Sequence, residues 1–469
     1  MITSFLYHCN MLFNSLNFIY FFIVVLLLYF SIPHKWRWLL LLSASCYFYM
    51  FFIPVYILIL FFTIIIDYCA GIWIEQEKKQ QRKKTFLALS LIANVGILVF
   101  FKYYSFLNDN LSALLGLVNV ENKIPYLNII LPVGLSFHTF QAMSYNFEIY
   151  RGKQKAERHL GYYALYVLYF PQLVAGPIER PQNVLHQFHQ KHQWNWQRCL
   201  HGLQLIVYGF FKKVVIADRI ALLINPVFSN YSNASAPELI CAVLLFSVQI
   251  FCDFSGYSDI AIGSSKILGI ELMKNFDKPY FASAISSFWR KWHISLSTWF
   301  RDYIYIPLGG SKTSTLFHYR NLFVIFLLSG IWHGANWTFV IWGAIHAFYI
   351  LIEIQINRSN SSLKKIFINP ISTFLLVSLA WIFFRSPSTH DALNIIHHCA
   401  TSSFSLSFIN SNYIITIALI LLLAASEKKL NLYETKLNGS KEFVFLLLTL
   451  LFISILGISE NEQFIYFQF

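Results

Sequence analysis

Apolar segments of about 20 residues recur along nearly the whole chain, and short polar loops separate them. Because about 20 consecutive apolar residues suffice for a helix to cross the hydrocarbon core of a bilayer, each segment predicts a transmembrane helix. About eleven spans are expected, near residues 14–32, 38–53, 55–73, 86–107, 126–147, 201–223, 237–258, 321–354, 366–384, 411–425 and 442–459. The predicted fold is therefore an all-α, polytopic integral membrane protein.

Three segments depart from this regular pattern. Residues 161–178 are apolar but contain two prolines and a glycine, which indicates a re-entrant or interfacial segment. Lys212 and Lys213 lie inside the span predicted at 201–223 and make that span the least regular one. The run 321–354 is too long for one upright helix, so it predicts a strongly tilted helix or a helical hairpin.

Positive charge alternates between the loops of the first half of the chain. Basic residues follow the first, third and fifth spans, at 35–37, 78–84 and 151–158, whereas the loops between contain only Lys123. Since cytoplasmic loops carry the excess of Lys and Arg, the N-terminus is expected on the extracytoplasmic side. Residues 1–13 contain no Lys or Arg, so residues 14–32 are expected to be a retained span, not a signal peptide.

Composition supports a membrane protein. Of 469 residues, 57% are hydrophobic and 12% are charged, against about 25% charged in an average soluble protein. One membrane domain is expected over 1–469, with N-terminal spans at 1–85, a core at 86–355 and C-terminal spans at 356–469. The net charge of +13 lies in short loops, which favours membrane lipids over nucleic acid as partner. The seven cysteines form no C-x-x-C pair and predict no metal site.

The segment 330–343 places a histidine among apolar residues. His333 lies between Gly330 and Gly334, and Trp332, Trp337 and Trp342 follow or precede it closely. A histidine at membrane depth is costly to desolvate and titrates near neutral pH, so a functional role is a natural hypothesis. A hydrogen-bonded core histidine is the alternative at this point.

The stretch 249–311 is the most polar one that adjoins predicted spans. Asp253 and Asp259 follow an apolar run and would need cationic partners, for which Arg290, Lys291 and Arg301 are the natural supply. On a continuous amphipathic helix over 280–311, His293 would share a face with Arg290 and Ser297, and three tryptophans would lie at the membrane interface. An interfacial anchoring helix without chemistry is the alternative.

Signatures of other chemistries are absent from the sequence. It has no phosphate-binding G-x-x-x-x-G-K-[ST] or G-x-G-x-x-G loop, no G-x-S-x-G nucleophile motif, no H-x4-D and no H-E-x-x-H. His333 and His293 remain as the candidate acid–base pair.

Four segments together resemble the membrane-bound O-acyltransferase family, and closely its bacterial alginate O-acetylase-like branch. They are residues 131–141, 169–178, 253–310 and 330–343, in the family's order and rough spacing. The resemblance implies a ring of tilted helices around a funnel, in the bacterial cytoplasmic (inner) membrane. It implies an acyl thioester such as acetyl-CoA as donor substrate and no tightly bound cofactor. The acceptor would be a hydroxyl of an extracytoplasmic polysaccharide, with a separate extracytoplasmic acyltransferase as partner.

The same resemblance implies roles for individual residues. The histidine at position 333 would be essential, and His293 would assist it. A neutral imidazole that removes a hydroxyl proton typically accelerates such a reaction about 10²–10⁴-fold. Asn336 or a backbone N–H would stabilise the developing oxyanion, with Trp332 as a supporting ring. By their charge alone, Arg290, Lys291 and Arg301 could receive the phosphates of a coenzyme A donor, and anchoring at the membrane surface explains these residues equally well.

Two alternatives to acetyl transfer stay open at the level of the sequence. Within the same class of enzyme, the transferred group would be D-alanine and the acceptor teichoic acid. In a different class, the protein would be a transporter or acyl-conducting channel whose histidines line a pore without chemistry.

Overall fold

The computed structural model describes residues 11–127, 129–173, 176–359, 363–429, 432–433, 440–458 and 464–465. Every regular element within these ranges is a helix, which confirms the all-α class. The chain divides into two compact units. The first comprises Met1–Gly202 with Ser264–Met273, and the second comprises Leu203–Gly263 with Lys274–Phe469. The expected division at residues 85 and 355 stays a prediction.

The described part of the first unit contains nine complete α-helices. They are α1 (Leu16–Ser31), α2 (His34–Met50), α3 (Ile57–Gln76), α4 (Gln80–Leu98), α5 (Tyr104–Gly116), α6 (Leu135–Tyr150), α7 (Leu160–Leu168), α8 (Phe170–Leu173) and α9 (Pro181–Phe188). A π-helical turn, Val99–Tyr103, joins α4 to α5. The short α7 and α8 replace one span over 161–178, as the interrupted pattern predicts. Val174 and Ala175 of that segment lie outside the described residues.

A buried carboxylate holds α3, α4 and α6 together. Asp67 of α3 accepts hydrogen bonds from Ser90 Oγ at 2.5 Å and from the side-chain amides of Asn94 and Asn146, each at 2.9 Å. One turn earlier on α3, Thr63 Oγ1 lies 2.6 Å from His138 Nε2. An unsatisfied polar group among apolar helices costs several kcal/mol, roughly, so these mutual bonds select one packing arrangement.

The second unit begins within a long helical region. Its helices are α10 (Trp196–Phe210), α11 (Asp218–Ser229), α12 (Ala236–Leu268), α13 (Ile285–Lys291), α14 (Ile294–Phe300), α15 (Thr315–His333), α16 (Trp337–Arg358), α17 (Leu363–Phe367), α18 (Pro370–Arg385), α19 (Thr389–Thr401), α20 (Ser411–Lys429) and α21 (Ser440–Leu456). A π-helical segment, Phe211–Ala217, joins α10 to α11. The lysines that made this span irregular lie in that segment.

The run 321–354 is a helical hairpin. The α15 helix ends at His333, and α16 begins at Trp337 and packs against it. Two glycines allow the close approach: a Cβ on Gly330 would lie 2.2 Å from the Phe339 carbonyl oxygen, and one on Gly343 would lie 2.3 Å from that of Phe326. Small residues at a helix crossing permit such backbone contact between membrane helices. Of the two alternatives that the sequence left open, the hairpin is therefore correct.

Five helices among the described residues are long and apolar enough to cross a membrane. They are Pro54–Gln76, Gln80–Gly116, Ala236–Leu268, Trp337–Arg358 and Ser411–Lys429. Shorter apolar helices lie at Leu16–Ser31, Pro370–Arg385 and Phe443–Leu456. The fifth predicted span starts late, at Leu135, because Gly134 adopts a left-handed conformation before it. The chain is a multi-span helical protein, and the number of eleven spans stays a prediction.

The glycine crossing gives a stability prediction with a matched control. Replacing Gly343 by Ala should lower the thermal unfolding midpoint, because the new Cβ meets a backbone oxygen that cannot move aside without separating α15 from α16. The same replacement at Gly96 of α4, where a Cβ meets nothing within 4 Å, should leave the midpoint unchanged or raise it. Alanine is favoured over glycine in a helix by about 1 kcal/mol.

Thermal unfolding of the purified protein in detergent measures both variants. Equal effects of the two replacements would contradict the close-contact explanation.

Candidate active site

His333 is the last residue of α15, and its side chain is 4% exposed. The helix ends there because Gly334 takes an extended conformation and the chain turns towards α16. Gly334 also packs directly on the ring of Phe339, where a Cβ would lie 2.1 Å away. The local sequence thus holds a histidine at a helix end, inside the unit.

Aromatic rings surround the His333 imidazole. The ring centroids of Trp332, Trp342 and Phe384 lie 5.0, 5.1 and 5.3 Å from it, each in an edge-to-face arrangement. Trp342 and Trp381 stack on each other at 5.5 Å. Three different helices contribute the rings of this cluster. It includes Trp332 and Trp342, whereas Trp337, the third tryptophan expected beside His333, is 53% exposed.

His293 does not lie on a helix. It is the junction between α13 and α14, with φ 43° and ψ 56°, in the left-handed region. The expected continuous amphipathic helix over 280–311 is therefore wrong, and so is the shared face with Arg290 and Ser297. The three tryptophans expected at the membrane interface are instead buried in the unit, at positions 289, 292 and 299.

A buried asparagine that the sequence analysis missed contacts His293 at Nδ1, and Ser295 Oγ lies 3.4 Å from the same nitrogen. Asn275 Oδ1 lies 3.1 Å from His293 Nδ1 and accepts a hydrogen bond from Ser295 Oγ at 2.9 Å. Both Asn275 and His293 are fully buried. The sequence gives little sign of this role, because Asn275 lies close to the charged residues 277–278 and the segment resembles a surface loop.

Trp332 connects the two candidate histidines. Its ring lies 6.1 Å from the His293 ring and 5.0 Å from the His333 ring. Two imidazoles that are 40 positions apart in the sequence therefore pack on one indole ring, and their pairing as acid and base stays a prediction. A third histidine, His346, lies beyond Trp342, which contacts both His333 and His346 at 5.1 and 5.0 Å.

Asp253 and Asp259 have partners other than the expected ones. Lys213 Nζ lies 2.8 Å from Asp253 and 2.6 Å from Asp218, and Lys212 Nζ lies 2.8 Å from Asp259. These five side chains are almost completely buried. The expectation that Arg290, Lys291 and Arg301 would supply the positive charge is wrong.

A second glycine crossing explains why the lysines reach these carboxylates. A Cβ on Gly209 of α10 would lie 2.5 Å from the carbonyl oxygen of Gly256 in α12. The two backbones therefore approach closely just before the π-helical segment and between the two aspartates. Arg290 and Arg301 instead lie exposed, and Arg301 pairs with Asp302 next to it at 2.7 Å.

Asn336 has structural partners. Its Oδ1 accepts a hydrogen bond from the backbone N–H of Thr338 at 3.0 Å, which caps α16. Its Nδ2 donates to the carbonyl oxygen of Pro387 at 2.9 Å. Because both ends of the amide are occupied, the arrangement gives no support to an oxyanion role, which stays a prediction.

A pocket that is partly open to solvent, with a cavity volume of about 40 Å³, lies near His293. Lys212 and Asp259 line it together with Lys274, Glu427 and Tyr433, so charges of both signs face it. Phe276 forms part of the wall, and its ring stacks on the His293 imidazole with centroids 6.5 Å apart. One aromatic ring therefore contacts both the cavity and the candidate residue.

Within the described ranges, no group of three or more His, Cys, Asp or Glu side chains could hold a metal ion. The chemistry that the arrangement offers is proton transfer by buried imidazoles in surroundings that exclude water. Fold and site together define a multi-span helical membrane protein with a buried pair of histidines joined by an indole.

Comparison with known proteins assigns the family. A model described as MBOAT, the membrane-bound O-acyltransferase family, matches residues 152–386, which is half of the chain. The matched segment contains both histidines, Asn275 and the paired lysines and aspartates. The chain belongs to this family and is an O-acyltransferase, which confirms the resemblance and decides for an enzyme over a transporter.

Relatives cover most of the chain. The probable alginate O-acetylase AlgI of Azotobacter vinelandii is 38% identical over 381 residues, 80% of this chain and 75% of the relative. The peptidoglycan O-acetyltransferase of Helicobacter pylori is 36% identical over 390 residues, 76% and 72% of the two chains. The teichoic acid D-alanyltransferase of Bacillus subtilis is 29% identical over 273 residues, 55% and 67%.

The buried ion pairs give a second stability prediction. Replacing Lys213 by Met should destabilise the protein by about 3–5 kcal/mol, because Asp218 and Asp253 then remain buried without their cation. Lys84, an exposed lysine, is the control, and its replacement by Met should change stability by less than about 0.5 kcal/mol.

The readouts are the yield of folded protein in membranes and the thermal midpoint in detergent. A Lys213→Met variant as stable as the Lys84→Met variant would show that the pairing is not required.

Proposed function

We propose that this protein transfers an acetyl group from a cytosolic acyl thioester to hydroxyls of an extracytoplasmic polysaccharide, with His333 as the essential base and His293 assisting. The observation that carries the proposal is the arrangement of the two buried imidazoles on one indole ring, in a chain of the O-acyltransferase family. A hydroxyl is a weak nucleophile until a base removes its proton, and a buried imidazole is suited to that task near neutral pH.

The relatives favour acetyl as the transferred group and a glycan as the acceptor. The two O-acetyl-transferring relatives from Azotobacter vinelandii and Helicobacter pylori are 36–38% identical over about three quarters of the chain or more. Their named substrates, alginate and peptidoglycan, are both extracytoplasmic polysaccharides. The D-alanyl-transferring relative is less similar and covers a smaller part of this chain.

The ring cluster around His333 supports a small acyl group. Trp332, Trp342 and Phe384 approach the imidazole to within 5.0–5.3 Å between ring centroids, and we expect these rings to leave little space for a longer acyl chain. Each additional methylene that a pocket rejects is worth about 1–3 kcal/mol of discrimination. An acetyl group, which has a single methyl group beyond its carbonyl carbon, suits a restricted space beside His333.

The cavity beside His293 is our candidate for the entry of the donor. It is lined by charged side chains and is in contact with Phe276, which stacks on His293. Acetyl-CoA or an acyl carrier protein would present the thioester there, and no resident cofactor is part of the proposal. The acceptor would approach His333 from the other side, with a separate extracytoplasmic acyltransferase as the receiving partner.

The membrane arrangement is part of the same proposal. We place the protein in the bacterial cytoplasmic membrane with about eleven spans and an extracytoplasmic N-terminus. The basic loops at 78–84 and 151–158 would then face the cytoplasm.

His333→Ala should abolish acetylation while leaving membrane insertion intact, because the hydroxyl proton then has no acceptor. The measurement is the O-acetyl content of the cell-surface polysaccharide, by mass analysis, in a strain that depends on this chain. His138→Asn is the control. His138 is equally buried, and its Nε2 pairs with Thr63 Oγ1, which has no part in the proposed reaction.

An active His333→Ala variant would refute the assignment of His333 as the essential base. The same mass analysis tests the group: an alanyl ester on the glycan in place of an acetyl ester would favour D-alanyl transfer to teichoic acid.

Removing a ring beside His333 should allow the enzyme to accept longer acyl groups. Phe384→Ala removes one of the rings beside His333, so the rate with a butyryl thioester relative to the acetyl thioester should rise at least about 10-fold. The ratio is measured with membranes and competing labelled donors. Phe339→Ala is the matched control. It removes a ring that packs against Gly334, and it should change the butyryl-to-acetyl rate ratio less.

A further inference from the structure

A buried amide fixes the chemistry of His293. Three groups converge on Asn275 Oδ1: His293 Nδ1 at 3.1 Å, the backbone nitrogen of Ser295 at 3.3 Å, and Ser295 Oγ at 2.9 Å. On its other side the amide donates through Nδ2 to Ser258 Oγ at 3.3 Å. All four side chains are fully buried.

The backbone nitrogen of Ser295 determines which way the amide faces. A backbone N–H only donates, so the atom that it meets must be the oxygen of Asn275. A flipped amide would place two donors against each other at that point. The atom that faces His293 is therefore an acceptor.

The tautomer of His293 follows from this orientation. An oxygen acceptor requires a donor opposite it, so the neutral imidazole carries its proton on Nδ1. Its lone pair then lies on Nε2. In a histidine, the hydrogen bond made by one ring nitrogen decides which nitrogen is available for chemistry.

The surrounding contacts hold the imidazole in one pose. Phe254 meets it edge-on at 4.7 Å, with an interplanar angle of 89°, and Phe276 stacks on it at 29°. A left-handed backbone is unfavourable for a residue other than glycine and persists only where other contacts impose it. The backbone bond from Ile294 N to Asn275 O, at 2.9 Å, is one such contact.

We infer that Asn275 is a positioning residue, which holds His293 as the Nδ1–H tautomer so that Nε2 is the nitrogen that exchanges a proton during acyl transfer. This inference rests on the proposed function, because it presupposes that His293 takes part in the reaction. Asn275 acts through His293 and not on the substrate.

Two variants of Asn275 test the inference. Asn275→Leu keeps the volume but removes the acceptor, and it should lower the maximal rate per folded enzyme at least about 100-fold, since a wrong tautomer can cost up to about 10⁴-fold. Asn275→Asp keeps an acceptor but adds a charge. A carboxylate favours the protonated imidazole. The acid limb of the pH–rate profile should therefore move to higher pH by at least about one unit, with activity recovered above it.

The assay uses the full chain in inverted membrane vesicles, with labelled acetyl-CoA, cytosol to supply any carrier protein, and transfer into envelope polysaccharide. Asn321→Leu is the matched control: Asn321 is also fully buried, and it donates to the carbonyl oxygens of Leu308 and Gly310 at 3.1 Å each. That variant should lower the yield of folded protein and leave the acid limb in place.

The outcomes separate the two levels of the proposal. Wild-type activity in the His293→Ala variant would contradict any role of His293 in the reaction. An inactive His293→Ala variant together with a wild-type rate in Asn275→Leu, or an unmoved acid limb in Asn275→Asp, would overturn the positioning role alone.

Discussion

The pairing of two buried lysines with three buried aspartates is the constraint on which the second unit depends. Removing a partner from a buried pair leaves a charge that costs about 3–5 kcal/mol, a large share of the stability of a typical protein. Lys213 bonds to aspartates on α11 and α12, and Lys212 bonds to Asp259 of α12 and, at 3.4 Å, to Glu427 of α20. The charges therefore fix α12 against its neighbours, in one register.

The same constraint reaches the candidate active site through α12. Phe254 and Ser258 lie on this helix between the two paired aspartates. Phe254 meets the His293 imidazole, and Ser258 accepts a hydrogen bond from Asn275. Near the end of the chain, the backbone N–H of Ile465 donates to Asp253 at 2.7 Å, and Phe464 packs on Phe254. The surroundings of His293 are thus built on a helix whose position the ion pairs determine.

The sequence predicts the helical class, most helix positions and a buried histidine at position 333 with tryptophans beside it, because apolar runs and isolated polar residues are local signals. It fails where a partner lies far away in the chain. Lys212 and Lys213 make one predicted span look irregular, because the sequence does not show that Asp259 and Asp253 neutralise their charges in the folded protein. Those aspartates in turn are assigned to Arg290 and Arg301, which are near in sequence. That assignment is wrong because the close contact of Gly209 with Gly256 is invisible in a hydropathy pattern.

The two histidines occupy opposite kinds of helix end, which suits different parts in one reaction. His333 closes the C-terminal end of α15, where the partial negative charge of the helix stabilises a positive imidazolium by about 0.3–1 kcal/mol. That stabilisation acts on the state that forms when a base has taken up a proton. His293 instead precedes α14, and its Nδ1 is committed to an amide oxygen. One ring nitrogen of His293 is held and its ring packs between two phenylalanines, so it has little freedom to reorient. In the mechanism that we propose, His293 therefore acts through a preset Nε2 and not through movement.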